Sequence, residues 1–180
     1  MAEQLNGTLD QSLMSTLPME KLPESKSVIR FQDCDPFNHL NNSRYIDYFI
    51  NAREDHLLRF YGFDIFKIVR ETGMGWVVGQ HQISFIRPVA LMETVRIKTR
   101  LLSYSKHSIL IESLMLDTEN EGIRSLLWTQ YFYYDLKKKS VSAHDKEYLE
   151  FFEKIHFPHQ GELSFERRNL EIRNAEVTKS

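Results

Sequence analysis

The chain has a single cysteine in 180 residues. That excludes an internal disulfide framework and suits a reducing compartment, so a cytoplasmic location is the expectation. Charge of one sign is also missing. The 23 basic and 25 acidic side chains leave a formal net charge of -2, which argues against a nucleic-acid binder. The short basic run Lys137 to Lys139 fits a solvated turn. No uninterrupted apolar run approaches the ~20 residues that cross a bilayer, and the N-terminus lacks the apolar block of a signal peptide. The 7 histidines are scattered. With no His-Glu-x-x-His spacing and no cysteine cluster, no metal site is expected. No glycine-rich loop is present to cradle phosphates.

What is present suits one packed domain with tails: 42% apolar residues, 12 phenylalanines and 8 tyrosines. Residues 1–24 are polar and read as a flexible N-terminal arm, with a short amphipathic lid over Leu13, Met14 and Leu17 as the alternative. Residues 25–156 hold the patterned domain. Residues 157–180 read as a charged, weakly patterned and largely mobile tail, with Leu163, Phe165, Leu170 and Ile172 the residues able to dock it.

The chain is organised around Ile29 to Gly62. A first strand over Val28 to Phe31 leads into a polar turn, then into the longest helical pattern. The helix is expected to open just after Asn41 or Asn42, both capping residues. Ile46, Phe49, Ile50, Leu57, Phe60 and Tyr61 recur at helical spacing, and Gly62 is a natural C-cap. Asp33, Asp35 and His39 stand just ahead of the helix N-terminus, where unpaired N–H groups concentrate. Arg53 falls on the apolar stripe. It either snorkels at the stripe's edge or pairs with Asp33, Asp35 or a carboxylate of a second chain.

From Trp76 the period changes to two. Val77, His81, Ile83 and Phe85 share one face, and Val78, Gln80, Gln82 and Ser84 the other. Thr94 to Leu102 alternates cleanly, and Ser108 to Leu116 follows. Ile123 to Asp135 is apolar on both faces, which marks a central strand or a subunit contact. Asp145 to Lys154 reads as a short helix. The outline is α+β, an antiparallel sheet of about five strands wrapped around one long central helix. A layer pair this small leaves one side of the helix end open, and dimerisation would cover it.

The run DCDPFNHLNNSRYIDYFINAR, Asp33 to Arg53, resembles the hotdog-fold acyl-CoA and acyl-carrier-protein thioesterases of the 4-hydroxybenzoyl-CoA thioesterase-like class. Asp33, Asp35, His39, Asn41, Asn42, Tyr45 and Arg53 match that pattern. SFIRPVALMETVRIKTRL, from Ser84, resembles the family's next segment. The resemblance implies a hotdog dimer, often paired into a tetramer, with active sites between subunits. It implies acyl-CoA or acyl-carrier-protein thioesters as substrates, and no cofactor beyond the coenzyme A of the substrate. It places Asp35 at the acidic catalytic residue, with His39 and Asn41 beside it and Asp33, Asn42, Tyr45 and Arg53 in support. The chain departs from the pattern at Phe37, Asn38, Asn42, Met92 and Glu93.

Thioester hydrolysis suits such a turn. The leaving thiol has a pKa of about 8–9, so no strong acid is required. Asp35 would activate water or attack directly, while N–H groups near Leu40 to Ser43 polarise the carbonyl. Cys34 is a poor nucleophile, because two flanking aspartates raise a thiol's pKa. Arg87, Arg100, Lys106 and Lys137 to Lys139 are candidates for the phosphates of coenzyme A. Two other readings use the same residues. One is a non-catalytic acyl-CoA-binding hotdog protein. The other is an enoyl-thioester hydratase or dehydratase built on Asp35 and His39.

Overall fold

The computed structural model describes residues 19–119 and 121–178. The expected arm lies outside the described residues up to residue 18, as does the Leu13, Met14 and Leu17 lid. From Met19 the chain is docked. The Tyr61 hydroxyl donates to the Glu20 carbonyl, and the Thr99 N–H donates to the Pro23 carbonyl at 3.1 Å.

Six strands form one antiparallel sheet: β1 (Glu24–Val28), β2 (Met74–Phe85), β3 (Thr94–Tyr104), β4 (Ser108–Asp117), β5 (Ile123–Asp135) and the stub β6 (Ser140–Val141). The order is β1-β3-β4-β5-β2, with β6 pairing β5. Among the described residues four α-helices complete the fold: α1 (Tyr45–Tyr61), α2 (Ile65–Thr72), α3 (Lys146–Ile155) and α4 (Phe165–Val177). The sheet curves around α1, which is the hotdog arrangement expected.

Helix α1 buries Tyr45, Phe49, Ala52, Arg53, His56 and Tyr61 against the sheet, a stripe at helical spacing. Two members of that stripe are polar, and four of the expected apolar residues flank it half-buried. Tyr45, Phe49 and Ala52 pack with Val95, Ile97, Met115 and Leu127 of the sheet's inner face. Gly62 ends the helix in the left-handed region, at φ 64°, with its N–H on the Leu58 carbonyl. A second inner cluster joins Phe63, Tyr133, Tyr148, Phe151 and Phe152.

Three expectations change. The first strand ends at Val28, and a single 3-10 turn, Phe31–Asp33, follows it. The faces of β2 divide differently, because a bulge at Gly79 shifts the register between Val78 and Gln80. Trp76 and Val78 therefore share the inner face with His81 and Ile83, and Val77 does not. A Cβ there would come within 2.3 Å of the Phe132 ring, so any other residue must displace that ring.

The third change is the largest. Residues expected as a mobile tail form α4, laid across the outer face of the sheet. Leu102, Leu126, Trp128 and Ile172 are buried together there. This explains why β5 is apolar on both faces: one faces α1 and α3, the other α4.

Candidate active site

The polar turn is a closed loop. Cys34 bridges Leu40, and His39 bridges Ala90. The Leu40 N–H donates to the Val89 carbonyl at 2.8 Å, and the Leu91 N–H to the Asn38 carbonyl at 2.9 Å. Ile29 exchanges bonds with the same segment: its N–H reaches the Glu93 carbonyl at 3.0 Å and its carbonyl accepts from Met92 at 3.1 Å. The loop is stitched to the β2–β3 connection on two sides. Asn38 takes φ 61° within it, a conformation asparagine tolerates better than most residues.

Asp35 sits at the bend, half-buried. Its Oδ1 accepts the N–H groups of Phe37 at 2.9 Å and His39 at 3.1 Å. Its Oδ2 has no protein partner among the described residues. One oxygen anchors the loop, and the other is uncommitted.

Asp33 faces inward. Its Oδ2 accepts the Tyr48 hydroxyl at 2.9 Å, its Oδ1 lies 3.8 Å from Arg44, and its carbonyl accepts the Asn41 N–H. Tyr48 also accepts the Arg30 N–H at 3.1 Å, so one phenol ties the helix to both sides of the turn. Tyr48 and Arg44 are absent from the sequence reading. The signal was present, since Tyr48 follows Tyr45 by three residues and so shares its side of the helix.

Helix α1 begins at Tyr45, later than expected. Asn41 instead organises the turn before it, where its Oδ1 accepts the Ser43 N–H at 3.0 Å and the Ser43 hydroxyl at 2.8 Å. Asn42 is exposed beside it. Tyr45 is buried, accepts the Val89 N–H at its hydroxyl, and meets Phe85 edge-on at 5.0 Å. It fixes the head of the helix against the end of β2. Burial first, then Asp33 and Asp35, push the Cys34 thiol pKa up. Its Sγ points back to the Arg30 carbonyl at 3.4 Å.

Asp33, Asp35, His39, Asn41, Asn42 and Tyr45 thus share one loop and helix head. Arg53 does not join them. Eight residues along α1 place it about 12 Å from Tyr45. No carboxylate among the described residues lies within ion-pair distance of it. It is 7% exposed, and burial lowers its pKa while a hydrogen bond to Tyr61 and the nearby Tyr131 oppose that. The alternative that paired it with Asp33 or Asp35 does not hold, because about two turns of α1 separate it from the loop.

Arg53 instead lines an apolar cavity of about 320 Å³ between α1, α2, α3 and the inner face of the sheet. Ile50, Leu57, Phe63, Trp76, Ile111 and Tyr131 are among its walls. Two of the basic candidates are committed to the outer face. Arg87 pairs with Glu176 at 3.4 Å, and Arg100 with Glu112 at 2.6 Å. Lys106 is exposed in the β3–β4 turn, roughly 35 Å along β3 from the loop. Lys137 to Lys139 are exposed just past β5.

No helix of the described residues is long and apolar enough to cross a membrane. Among them no group of three or more metal-ligating side chains converges.

Comparison with known proteins agrees with the fold. The chain is 27% identical over 128 residues to the long-chain acyl-CoA thioesterase FadM of Escherichia coli, across 71% of this chain and 94% of that protein. Staphylococcus aureus SAV2348, solved in complex with CoA, superposes at TM-score 0.71 with 8% identity over 82% of this chain and 92% of its own. The 1,4-dihydroxy-2-naphthoyl-CoA thioesterase Slr0204 from Synechocystis superposes at TM-score 0.68 with 11% identity, over 76% and 99% of the two chains. Both likenesses are of fold. The model of the thioesterase-like superfamily matches residues 29–162, from the strand end before the loop to the approach to α4, and the chain belongs to that superfamily.

Proposed function

We propose that this protein hydrolyses acyl-CoA thioesters, with Asp35 as the general base. One observation carries the assignment of the base: Asp35 Oδ1 is fixed by two backbone amides while Oδ2 is uncommitted at the head of α1. A carboxylate held this way is aimed without being neutralised by a cation. Membership in the thioesterase-like superfamily and the similarity to FadM support the reaction class.

In the reaction, Asp35 takes a proton from water as the water oxygen attacks the thioester carbonyl. N–H groups at the start of α1 stabilise the oxyanion. The C–S bond then breaks, and the thiolate leaves with a proton, giving free acid and thiol. To His39, carried on the bridge to Ala90 with its N–H on Asp35 Oδ1, we assign the orienting of the water. Asn41 holds the turn that presents these groups, and Asp33 and Tyr48 brace it. The acyl group takes the apolar cavity, whose volume lies at the lower end of the ~300–1,000 Å³ usual for ligand sites.

The site is shared between two copies. Among the described residues, strand β2 pairs only β5 and its other edge carries no strand, and a long free edge is a template for strand pairing. Antiparallel pairing of two β2 edges sets the Phe85 end of one beside the Met74 end of the other. Met74 pairs Asp135, and Lys137 to Lys139 follow. Those lysines of one copy then approach the Asp35 loop of the other, where phosphates of coenzyme A would emerge.

The test is single-turnover thiol release from a panel of acyl-CoA and acyl-carrier-protein substrates. The wild type should release thiol. Asp35→Asn should bind a non-hydrolysable analogue normally and turn over about 10²- to 10⁴-fold more slowly. Near-normal turnover by Asp35→Asn would reassign the base. Binding without turnover by the wild type on every substrate would replace the enzyme with an acyl-CoA-binding protein.

A further inference from the structure

We propose that Arg53 selects the acyl group: the apolar cavity takes an acyl chain whose far end carries a carboxylate, and the guanidinium pairs with that carboxylate. This rests on the acyl-CoA hydrolysis proposed above and names the acyl class that the reaction takes. The cavity of about 320 Å³ has Ile50, Leu57, Phe63, Trp76, Ile111 and Tyr131 among its walls. Among the described residues that line it, Arg53 and Glu54 are the charged ones.

Arg53 is 7% exposed. The groups that act on its charge are phenols: Tyr61, to which it donates a hydrogen bond, and Tyr131. Tyr61 is itself committed, since its hydroxyl donates to the Glu20 carbonyl. A guanidinium carries five N–H donors in a planar fork and keeps its charge when buried. One phenol leaves most of that fork turned to the cavity. No carboxylate of the described residues pairs with it. Glu54 does not fill that role. It follows Arg53 by one residue, which turns it about 100° around α1, and it is only half-buried.

The placement suits a chain that enters from the loop. Arg53 stands about 12 Å along α1 from Tyr45 at the helix head. Ile50 lies about one turn nearer the loop, and Leu57 about one turn beyond Arg53. The methylenes of an acyl chain run along the apolar walls, and its far carboxylate meets the charge. Two carboxylate oxygens match two nitrogens of the fork, the geometry in which arginine binds an anion best. A chain ending in methyl would displace water from the guanidinium and offer no acceptor in its place, which is unfavourable for a buried charge. A plain fatty acyl group therefore fits the volume of this cavity and not its charge.

The test uses non-hydrolysable CoA thioethers of matched length, their alkyl chains ending in methyl or in carboxylate, with the corresponding thioesters for turnover. The wild type should bind the carboxylate-ended thioether about 10- to 100-fold more tightly, the range of a charge-assisted hydrogen bond. Arg53→Met should remove that preference. Arg53→Lys should keep part of it, as a point charge without the fork. Equal binding of the two thioethers by the wild type, or no binding of either, would overturn the proposal. So would an Arg53→Met chain that still prefers the carboxylate. The first comparison is read on the wild type alone, so it decides the matter whether or not Arg53→Met folds. A carboxylate of a second copy seated on Arg53 would also equalise the two thioethers, and the expected preference excludes it. Turnover is scored separately. Preferred binding of the carboxylate with no thiol release from either thioester would keep this pocket and remove the hydrolysis. Thiol release from both at equal kcat/KM, with equal binding, would keep the hydrolysis and remove the pocket.

Discussion

The Tyr48 hydroxyl donates to Asp33 Oδ2 at 2.9 Å, tying helix α1 to the turn that feeds it. Asp35, two residues on, takes only backbone amides. Two neighbouring carboxylates therefore do different work. Tyr48→Phe and Asp33→Asn should each lower stability by about 1 kcal/mol, the usual worth of one such bond. Tyr48→Phe should also leave the Arg30 N–H without its acceptor. Asp35→Asn should change the urea midpoint little, because an amide oxygen still accepts from Phe37 and His39. Equal losses of stability in all three variants would contradict this division.

Acid should weaken the fold over two successive pH ranges. Burial first, then Arg53 and Arg59, holds the His56 pKa down to about 4, from an ordinary value of 6.5. His56 Nδ1 pairs with the Thr99 hydroxyl at 2.8 Å, and its Nε2 has no partner among the described residues. His144 is also held low by burial; its Nε2 accepts the Trp76 indole N–H at 3.0 Å. A protonated ring would turn that acceptor into a donor. The unfolded chain protonates His56 near 6.5 and the folded chain does not until about 4; His144 shifts in the same direction. Stability is then fully present above about pH 6.5 and falls as pH drops toward 4. Glu112 behaves oppositely in cause. Burial would raise its pKa, but Arg100 and Arg168 outweigh that and hold it low. Its contribution survives this window and is lost only at lower pH. The urea midpoint should fall between about pH 7 and pH 5, and His56→Gln should flatten the slope. A level midpoint in the wild type would refute the assignment.

Gly79→Ala should cost about 1–3 kcal/mol, the range for overpacking. The added methyl would stand 2.3 Å from Cε2 of Phe132. Phe132→Leu in the same chain should recover part of the loss, because it removes the ring edge that clashes. Denaturation of the two single variants and the double variant closes the cycle. Full additivity would mean that the glycine serves the bulge alone.

The loop and α1 were legible in the sequence because their determinants are local. Asp35, Asn41 and Ser43 bond within a few residues of themselves, and Gly62 caps its own helix. The faces of β2 were misread because one inserted residue, Gly79, reverses a period-two pattern without any change in composition. Helix α4 was unreadable for another reason. Its contact side is Phe165, Arg168, Asn169, Ile172, Arg173 and Glu176, a correct helical spacing filled mostly with polar residues. Hydrophobic periodicity detects apolar burial, and α4 is held largely by ion pairs whose partners lie over 50 residues away, such as Arg168 with Glu112. Arg53 misled for the converse reason. Its position on the apolar stripe was plain, but its neighbours, Tyr61 and Tyr131 beside the cavity, depend on how the sheet and α1 pack.

A site shared across two β2 edges predicts complementation between two defective chains. Asp35→Asn lacks the base. A chain with Lys137, Lys138 and Lys139 all changed to glutamine keeps the base but loses the cations offered to its partner's substrate, and should show a raised KM. Each is defective alone. In a mixed dimer, the site built on the intact Asp35 of the second chain receives the intact lysines of the first, and is native. The opposite site carries both defects. Random exchange of equal amounts should therefore make about a quarter of all sites native, and low-KM turnover should appear on mixing at that level. Lys138 ion-pairs its own Asp135 at 3.5 Å, so the glutamine chain must first be shown by circular dichroism to keep the wild-type fold. If each site were complete within one chain, mixing would yield only the average of two defective enzymes. The measurement is initial rate against acyl-CoA concentration before and after subunit exchange. A KM that stays raised throughout would place the whole site within a single copy.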